Sequence, residues 1–547
     1  MSKVITPLPG GELFVGTLTE FLNITEQIFQ KFHDYFQKWI QLFGPFALDI
    51  YSENTGGVFD PEWKNDLQRI FTDKIFHDKI FNENDFSIIS SPSLSSFFQE
   101  STSLFLPRET EKREAIDVMK YPSLQGMSGF DKSQEVIYLT YAIDVLLNHC
   151  FSLDESIFHG EAYHNSLSKE LSHLQITEKT PLKRSNISFV DVGAGKGYFS
   201  VFMSSQMRMR TLTIEASLSH ACHLQNRIGC LISQKRVDPN SFDLMNMCIG
   251  YMTTQTNVEA IYVNSMKYEQ WSATVKDFQK GKKGKSKKNE IQDAPNAVPI
   301  EQLRFSEQSK KPRVIQGELA VEILAANDVD LKPIEYITVG LHACGDLSIV
   351  THEIALNSPQ PRGAISVPCC YQHLSHSRLP LLPENQPICD LLFGQNETKR
   401  HNLLNYALYE YNVTFETRKS ILEQFLHRSI IECFIPSRQT IKKLKQNKDE
   451  NFEDYVLRLA THFGTPTDAS KVHWKIAEIQ NEDWKMMAHA VARELFGHVF
   501  ESFLLMERLT YFARIVEVKQ EHYLVGMFDL FSHLSPRGFS LFTLKLD

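Results

Sequence analysis

Apolar residues recur at helical spacing along the first third of the chain. From Leu22 onward, apolar side chains stand three or four positions apart, which is the spacing of one helix face. This series consists of Ile28, Phe29, Phe32, Phe36, Trp39, Ile40 and Phe43. A second apolar series follows the segment GMSGFDKSQEV. The pattern predicts a helical N-terminal region over residues 1–118 and a helical lead-in over 119–180.

The pattern changes near Pro181. Four short runs rich in β-branched residues, ISFVDVG, TLTIEA, YITVGLHACG and GAISVPCC, are separated by segments long enough for helices. This alternation predicts a mostly parallel α/β sheet within a domain over 181–547. Two strand-like runs around SHLSPRG predict an antiparallel hairpin at the C-terminal end. The helix-rich stretch before it predicts a helical insertion over about 395–514.

The composition is that of a globular protein with more than one packed unit. The chain has 547 residues, of which 42% are hydrophobic and 22% charged. Its nine cysteines are odd in number and mostly scattered, which is typical of a reducing compartment. Neither a leader peptide nor an apolar run of membrane-spanning length is evident. We therefore expect a cytoplasmic protein without membrane contact, with the nucleus as an additional location.

One segment carries concentrated positive charge. Residues 276–312 lack the apolar pattern, which predicts a disordered insertion, and six lysines fall between Lys280 and Lys288. Without these lysines the formal net charge of −9 would be −15. Such a run is typical of a solvated linker, and nuclear targeting and RNA contact are the alternatives.

A glycine-rich turn follows the first predicted strand of the sheet. The strand ends at Asp191, and Gly193, Gly195 and Gly197 alternate before a helix. This arrangement turns backbone N–H groups toward a ligand. The spacing D-x-G-x-G-x-G differs from the G-x-G-x-x-G of dinucleotide binders. The next strand ends at Glu215, whose carboxylate can accept both hydroxyls of a ribose.

This order of strand, glycine turn, helix, strand and carboxylate resembles the class I methyltransferases that use S-adenosylmethionine. The resemblance implies a Rossmann-like α/β fold. It also implies that Asp191 and the turn formed by Gly193, Gly195 and Gly197 hold the methionine part of the cofactor, while Glu215 holds its ribose.

Two further strand ends carry polar clusters, LHACGDLS at 341–348 and VPCCYQH at 367–373. Ligands of open α/β sheets bind beyond the carboxyl ends of the strands, so both clusters are expected to face the crevice of the glycine turn. For a general-base or orienting role the candidates are His342 and Asp346. Cys344 and Tyr371 are expected to shape the acceptor pocket. A structural role is the alternative for His342, and a core position for Tyr371.

The strand ends, the upstream residues and the C-terminal FDLFSHLSPRG together resemble the methyltransferase-like protein 25 family, also called ribosomal RNA adenine dimethylase domain-containing proteins. The upstream residues are GMS at 126–128, Lys132 and Glu135. The family usually has paired basic residues after GMS, whereas here Asp131 precedes a single Lys132. The resemblance covers patches from about Met119 to the C-terminus.

The cysteines and histidines of the strand ends are ligand types for zinc. They are His342, Cys344, Cys369, Cys370 and His373. Adjacent cysteines lack the C-x₂-C spacing that turns two thiolates onto one metal. We therefore predict no metal, and expect Cys369 and Cys370 to alternate across a buried strand end.

The resemblance implies transfer of a methyl group from S-adenosylmethionine to a macromolecule. RNA is favoured by the family name, by the lysine-rich segment and by a fainter similarity to tRNA 2′-O-methyltransferases with a His-x-Cys-Gly element. A protein side chain is favoured by the acidic body, and a non-catalytic cofactor-binding scaffold is the third alternative. Adenine N6 methylation is not expected, because the fourth strand ends in His-Ala-Cys-Gly-Asp.

Overall fold

The computed structural model describes most of the chain outside the lysine-rich segment. The described ranges are 2–43, 59–108, 130–158, 166–174, 179–215, 242–246, 313–316, 335–357, 361–394, 396–407, 413–435, 449–531 and 538–547, with isolated positions between them. The predicted disordered insertion at 276–312 and the GMS segment at 126–128 lie outside the described residues.

Twelve strands are present in the described residues. They are β1 (Lys3–Pro7), β2 (Leu13–Thr17), β3 (Phe151–Leu153), β4 (Thr180–Leu182), β5 (Ile187–Val192), β6 (Arg210–Glu215), β7 (Phe242–Asn246), β8 (Arg313–Gln316), β9 (Glu335–Cys344), β10 (Pro361–Cys369), β11 (Tyr523–Asp529) and β12 (Phe539–Lys545). Ten of them form one sheet in the order β2-β1-β11-β12-β10-β9-β5-β6-β7-β8, and β3 pairs with β4 separately.

The direction of the strands places the predicted site. β7, β6, β5, β9 and β10 run parallel, so their carboxyl ends share one edge of the sheet. β12 is antiparallel to both β10 and β11. The predicted Rossmann-like α/β fold, with its C-terminal antiparallel hairpin, is therefore confirmed.

Fourteen helices of the α type accompany the strands in the described residues. They are α1 (Leu18–Trp39), α2 (Lys64–Thr72), α3 (Lys74–Phe81), α4 (Pro92–Thr102), α5 (Phe130–Cys150), α6 (Ser166–Leu171), α7 (Tyr198–Ser205), α8 (Leu347–Asn357), α9 (Gln386–Phe393), α10 (Glu397–Tyr406), α11 (Phe415–Phe434), α12 (Phe452–His462), α13 (Ala469–Asn481) and α14 (Asp483–Glu517). None of these described helices is long and apolar enough to cross a bilayer.

The chain forms two compact units. The first, which holds the sheet, combines Met1–Ile28, Pro107–Pro383 and Leu504–Asp547. Its strands β5 and β10 are buried along nearly their whole length, as parallel strands covered on both faces must be. Helix α5 is buried continuously from Ser133 to Asp144, so polar side chains of this helix also lie in the interior.

The second unit combines Phe29–Leu106 and Glu384–Phe503 and is helical. Aromatic rings fill its core, where the Phe36 ring lies 5.6 Å from that of Phe496 and 5.9 Å from that of Phe503, measured between centroids. Edge-to-face contacts of this kind add to the burial of apolar area. A buried ion pair joins Arg418 to Glu494, with Nε and Oε2 2.9 Å apart.

The N-terminal region differs from the expectation of helices alone. β1 and β2 precede α1, pair antiparallel with each other, and extend the sheet through the parallel pairing of β1 with β11. Each strand has only five residues. Runs this short carry little periodicity, so the strands are visible only through their partners.

Candidate cofactor and active site

The glycine turn joins β5 to α7. Gly193, Gly195 and Gly197 all have positive φ, at 68°, 57° and 66°. The turn is attached to the neighbouring strand, because the N–H groups of Gly193 and Ala194 both donate to the carbonyl of Ile214. The left-handed conformation explains why glycine stands at alternate positions.

Two of these glycines face different surroundings. A Cβ on Gly193 would lie 2.4 Å from Cδ2 of Leu347, so close packing with α8 requires glycine there. A Cβ on Gly195 would meet no atom within 4 Å. The middle of the turn therefore borders open space, where a ligand can approach the backbone.

Asp191 lies under this turn. Its side chain is 2% exposed, and Ser200 on α7 donates a hydrogen bond to Oδ2. The pKa of Asp191 is raised to about 7, mainly by burial and to a smaller extent by the nearby Glu215, whereas Ser200 and His342 act in the opposite direction. A carboxyl group in this state would ionise readily beside a ligand cation.

Glu215 ends β6 next to the same turn. Its Oε2 accepts a hydrogen bond of 2.6 Å from the N–H of Gly195, and the residue is 7% exposed. The fold brings together three residues that are up to 24 positions apart in the chain, namely Asp191, Gly195 and Glu215. The sequence predicts this grouping.

His342 lies near the end of β9, with its side chain 41% exposed. Its Nε2 is 3.3 Å from Oε2 of Glu135, whose side chain on α5 is 8% exposed. From the sequence, Glu135 belongs only to the upstream resemblance, which assigns it no role. It lies within the part of α5 that is buried from Ser133 to Asp144, and buried carboxylates are rare unless they are paired.

Cys344 and Cys369 end the adjacent strands β9 and β10. Their sulfur atoms are 3.1 Å apart. The neighbouring thiols and burial raise the pKa of Cys369 well above its usual range. Cys344 is exposed, whereas Cys369 is buried. The place of Cys344 in an acceptor pocket stays a prediction.

Asp346 and Tyr371 are held by protein contacts. The Oδ1 atom of Asp346 accepts a hydrogen bond of 2.9 Å from the N–H of Ser375. Tyr371 is 1% exposed, and the buried guanidinium of Arg508 lies 5.1 Å from its ring centroid. This packing favours the core alternative for Tyr371, because the ring is not open to the crevice.

Comparison with known proteins identifies the domain. The model of a family described as a methyltransferase domain matches residues 169–377, which include the glycine turn and both polar strand ends. Residues 169–377 are therefore similar to a methyltransferase domain, and the parallel sheet that they contain fits this match. No solved structure matches the chain significantly.

Two curated proteins are similar to this chain. The human "Probable methyltransferase-like protein 25" is 23% identical in an alignment of 428 residues that covers 65% of this chain and 70% of the relative. The mouse protein of the same name is 25% identical in an alignment of 232 residues that covers 38% of this chain and 37% of the relative. The predicted relationship to the methyltransferase-like protein 25 family and to the class I methyltransferases is confirmed.

Proposed function

We propose that the protein transfers a methyl group from S-adenosylmethionine to a macromolecule, with RNA as the favoured acceptor. The observation that carries this proposal is the glycine turn between Asp191 and Glu215. The turn lies between a buried carboxyl group, Asp191, and a second carboxylate, Glu215, and its backbone at Gly195 is not covered by side chains. This order suits a nucleoside that carries an amino acid, with Asp191 at the amino acid and Glu215 at the ribose.

The residues fit this cofactor in three ways. Asp191, with its raised pKa, would become ionised beside the α-ammonium of the methionine part. The open space at Gly195 admits the cofactor close to the backbone. Glu215 would exchange its contact with the Gly195 N–H for the ribose hydroxyls. When bound, S-adenosylmethionine supplies a methyl group already activated on a sulfonium.

His342 and Glu135 would handle the proton of the acceptor. With the Nε2 proton of His342 directed to Glu135, Nδ1 carries the lone pair that accepts a proton from the attacking group. Glu135 fixes the ring and stabilises the imidazolium that forms. The sheet edge aligns donor and acceptor, which supplies much of the rate enhancement.

The acceptor class follows from one experiment. The purified protein is incubated with labelled S-adenosylmethionine and with lysate of cells that lack this protein. The products are then digested separately with nuclease and with protease. We expect label that nuclease removes. Label removed only by protease would establish a protein methyltransferase, and binding of S-adenosylhomocysteine without any transfer would favour the non-catalytic scaffold.

The roles of His342 and Glu135 predict a specific pattern of losses. We expect His342→Ala to lower kcat by about 10²–10⁴-fold, which is the usual contribution of a positioned base. Glu135→Gln should lower kcat less and change the pH dependence of kcat. Neither substitution should alter affinity for S-adenosylhomocysteine more than about twofold, measured by calorimetry. Unchanged kcat in both variants would contradict the assignment.

A further inference from the structure

Three thiols converge where β9 and β10 end. Cys344 is the last residue of β9 and is paired in register with Cys369, the last residue of β10, which Cys370 follows. The Sγ atoms of all three lie within 4.8 Å of one another. Among the described residues, this is the group in which three histidine, cysteine or carboxylate side chains lie close enough to share one ion.

The backbone explains how two adjacent cysteines turn the same way. Consecutive residues of a regular strand point to opposite faces. Cys370, however, has a φ of +50°, in the left-handed region that non-glycine residues seldom occupy. This conformation is retained by hydrogen bonds from His373 N–H to the Cys370 carbonyl and from Gly345 N–H to the Cys369 carbonyl. Cys369 and Cys370 therefore do not alternate across the strand end as expected, and their sulfur atoms lie on the same side, near that of Cys344.

The sulfur separations suit a shared metal ion. Three thiolates bound at about 2.3 Å in tetrahedral geometry stand ~3.8 Å apart. The separation of 3.1 Å between Cys344 and Cys369 and the limit of 4.8 Å for the whole group lie on either side of that value. A disulfide would need about 2.05 Å, so Cys344 and Cys369 are not bonded.

We propose that Cys344, Cys369 and Cys370 bind one zinc ion. Binding converts three thiols to thiolates and releases three protons to solvent, and no oxidant or reductant takes part. Thiolate ligands select soft or borderline ions such as Zn²⁺. Since Cys344 is exposed and Cys370 is partly exposed, the fourth position would be open at the edge that carries His342, and water would occupy it. This proposal is independent of methyl transfer.

The test uses the full chain, reduced and stripped of metal with a chelator. We expect about one equivalent of zinc to rebind, and Co²⁺ in its place to give the thiolate-to-cobalt charge-transfer absorption. Loss of outer contacts alone weakens metal sites by about 10–100-fold. Cys344→Ser and Cys370→Ser should therefore each lower zinc affinity at least about tenfold, measured by competition with a chromogenic chelator. Cys433→Ser, at an exposed thiol outside the cluster, is the matched control.

Equal zinc affinity in Cys344→Ser and Cys433→Ser would overturn the proposal, as would a Co²⁺ complex without the charge-transfer absorption. Circular dichroism and binding of S-adenosylhomocysteine verify that each variant is folded. Cys369 is buried, so the exposed Cys344 decides the result if Cys369→Ser does not fold. A protein that binds zinc but not S-adenosylhomocysteine would contradict the proposed function alone.

Discussion

The space beside Gly195 is needed by the proposed ligand and is not filled by the protein. The residue has a φ of +57°, and a Cβ there would meet no protein atom within 4 Å. Asparagine tolerates this conformation better than other side chains do. We expect Gly195→Asn to shift Tm by only a few degrees but to lower affinity for S-adenosylhomocysteine at least tenfold, because its side chain would occupy the cofactor's space.

Gly464 provides the matched control for this substitution. It has a φ of +73°, also without an atom within 4 Å of a Cβ, and lies in the helical unit. Gly464→Asn should change Tm to a similar extent and leave the affinity unchanged. If both variants bind S-adenosylhomocysteine equally well in calorimetry, the glycine turn is not the cofactor site.

The burial of Asp191 is expected to lower the stability of the folded protein at neutral pH. Its pKa of about 7 lies above the ordinary value of 3.8, so the folded protein retains a proton that the unfolded chain releases between those values. The free energy of unfolding is therefore highest, as far as this group is concerned, at low pH. It falls as pH rises from 3.8 to about 7, by about 1.4 kcal/mol per pH unit. Asp191→Asn should raise Tm relative to the wild type at pH 8 and much less at pH 4.5.

The same substitution should weaken cofactor binding, because the neutral amide cannot pair with the α-ammonium. Thermal unfolding at the two pH values and calorimetry with S-adenosylhomocysteine measure the two effects. A Tm difference that does not depend on pH would show that Asp191 is ionised normally in the folded protein.

At the scale of elements, one histidine fixes α8 against the sheet. The imidazole of His352 contacts Thr543 on β12 through Nδ1, at 3.1 Å, and Ser366 on β10 through Nε2, at 3.0 Å. Its ring stacks on Phe512 of α14 at a centroid distance of 4.4 Å. Because α8 begins three residues after Cys344, these contacts also help to position the end of β9.

Burial lowers the pKa of His352 to about 3, so the imidazole is neutral in the folded protein. The unfolded chain binds a proton below about pH 6.5, and stability is lost as pH falls from there toward 3, by about 1.4 kcal/mol per unit for this group. We expect His352→Gln to lower Tm at pH 7.5 and to reduce the further loss of Tm between pH 7.5 and 5. An equal loss in both proteins would contradict this assignment.

At the scale of the whole molecule, the sequence predicts the sheet better than the units. The order around β5, β6, β9 and β10 follows from strand ends and helix-length spacers, and these strands bring Asp191, Glu215 and His342 to one edge. The helical unit, by contrast, joins Phe29–Leu106 to Glu384–Phe503. Such long-range packing leaves no local periodicity in the sequence.

The candidate site shows the same division. Glycine spacing predicts the turn because φ is a local property of each residue. The pairing of Glu135 with His342 joins positions about two hundred residues apart, and the convergence of the thiols depends on the left-handed Cys370. Neither follows from spacing alone.

The net charge of the molecule affects how it can bind RNA, the proposed acceptor. A chain of net charge −9 repels phosphates, so the lysines between Lys280 and Lys288 would supply attraction. We expect the joint replacement of Lys282, Lys283 and Lys285 by Gln to weaken RNA binding. It should also reduce the slope of log affinity against log salt by up to about 2, at roughly 0.7 per contact with single strands.

The matched control replaces the exposed Lys74, Lys419 and Lys471 by Gln. This makes the same change in charge within the helical unit and should leave the slope unchanged. Titrations of labelled RNA at several salt concentrations measure both slopes. Equal slopes in the two triple variants would mean that the lysine segment is a solvated linker, and that any attraction for RNA comes from the folded body.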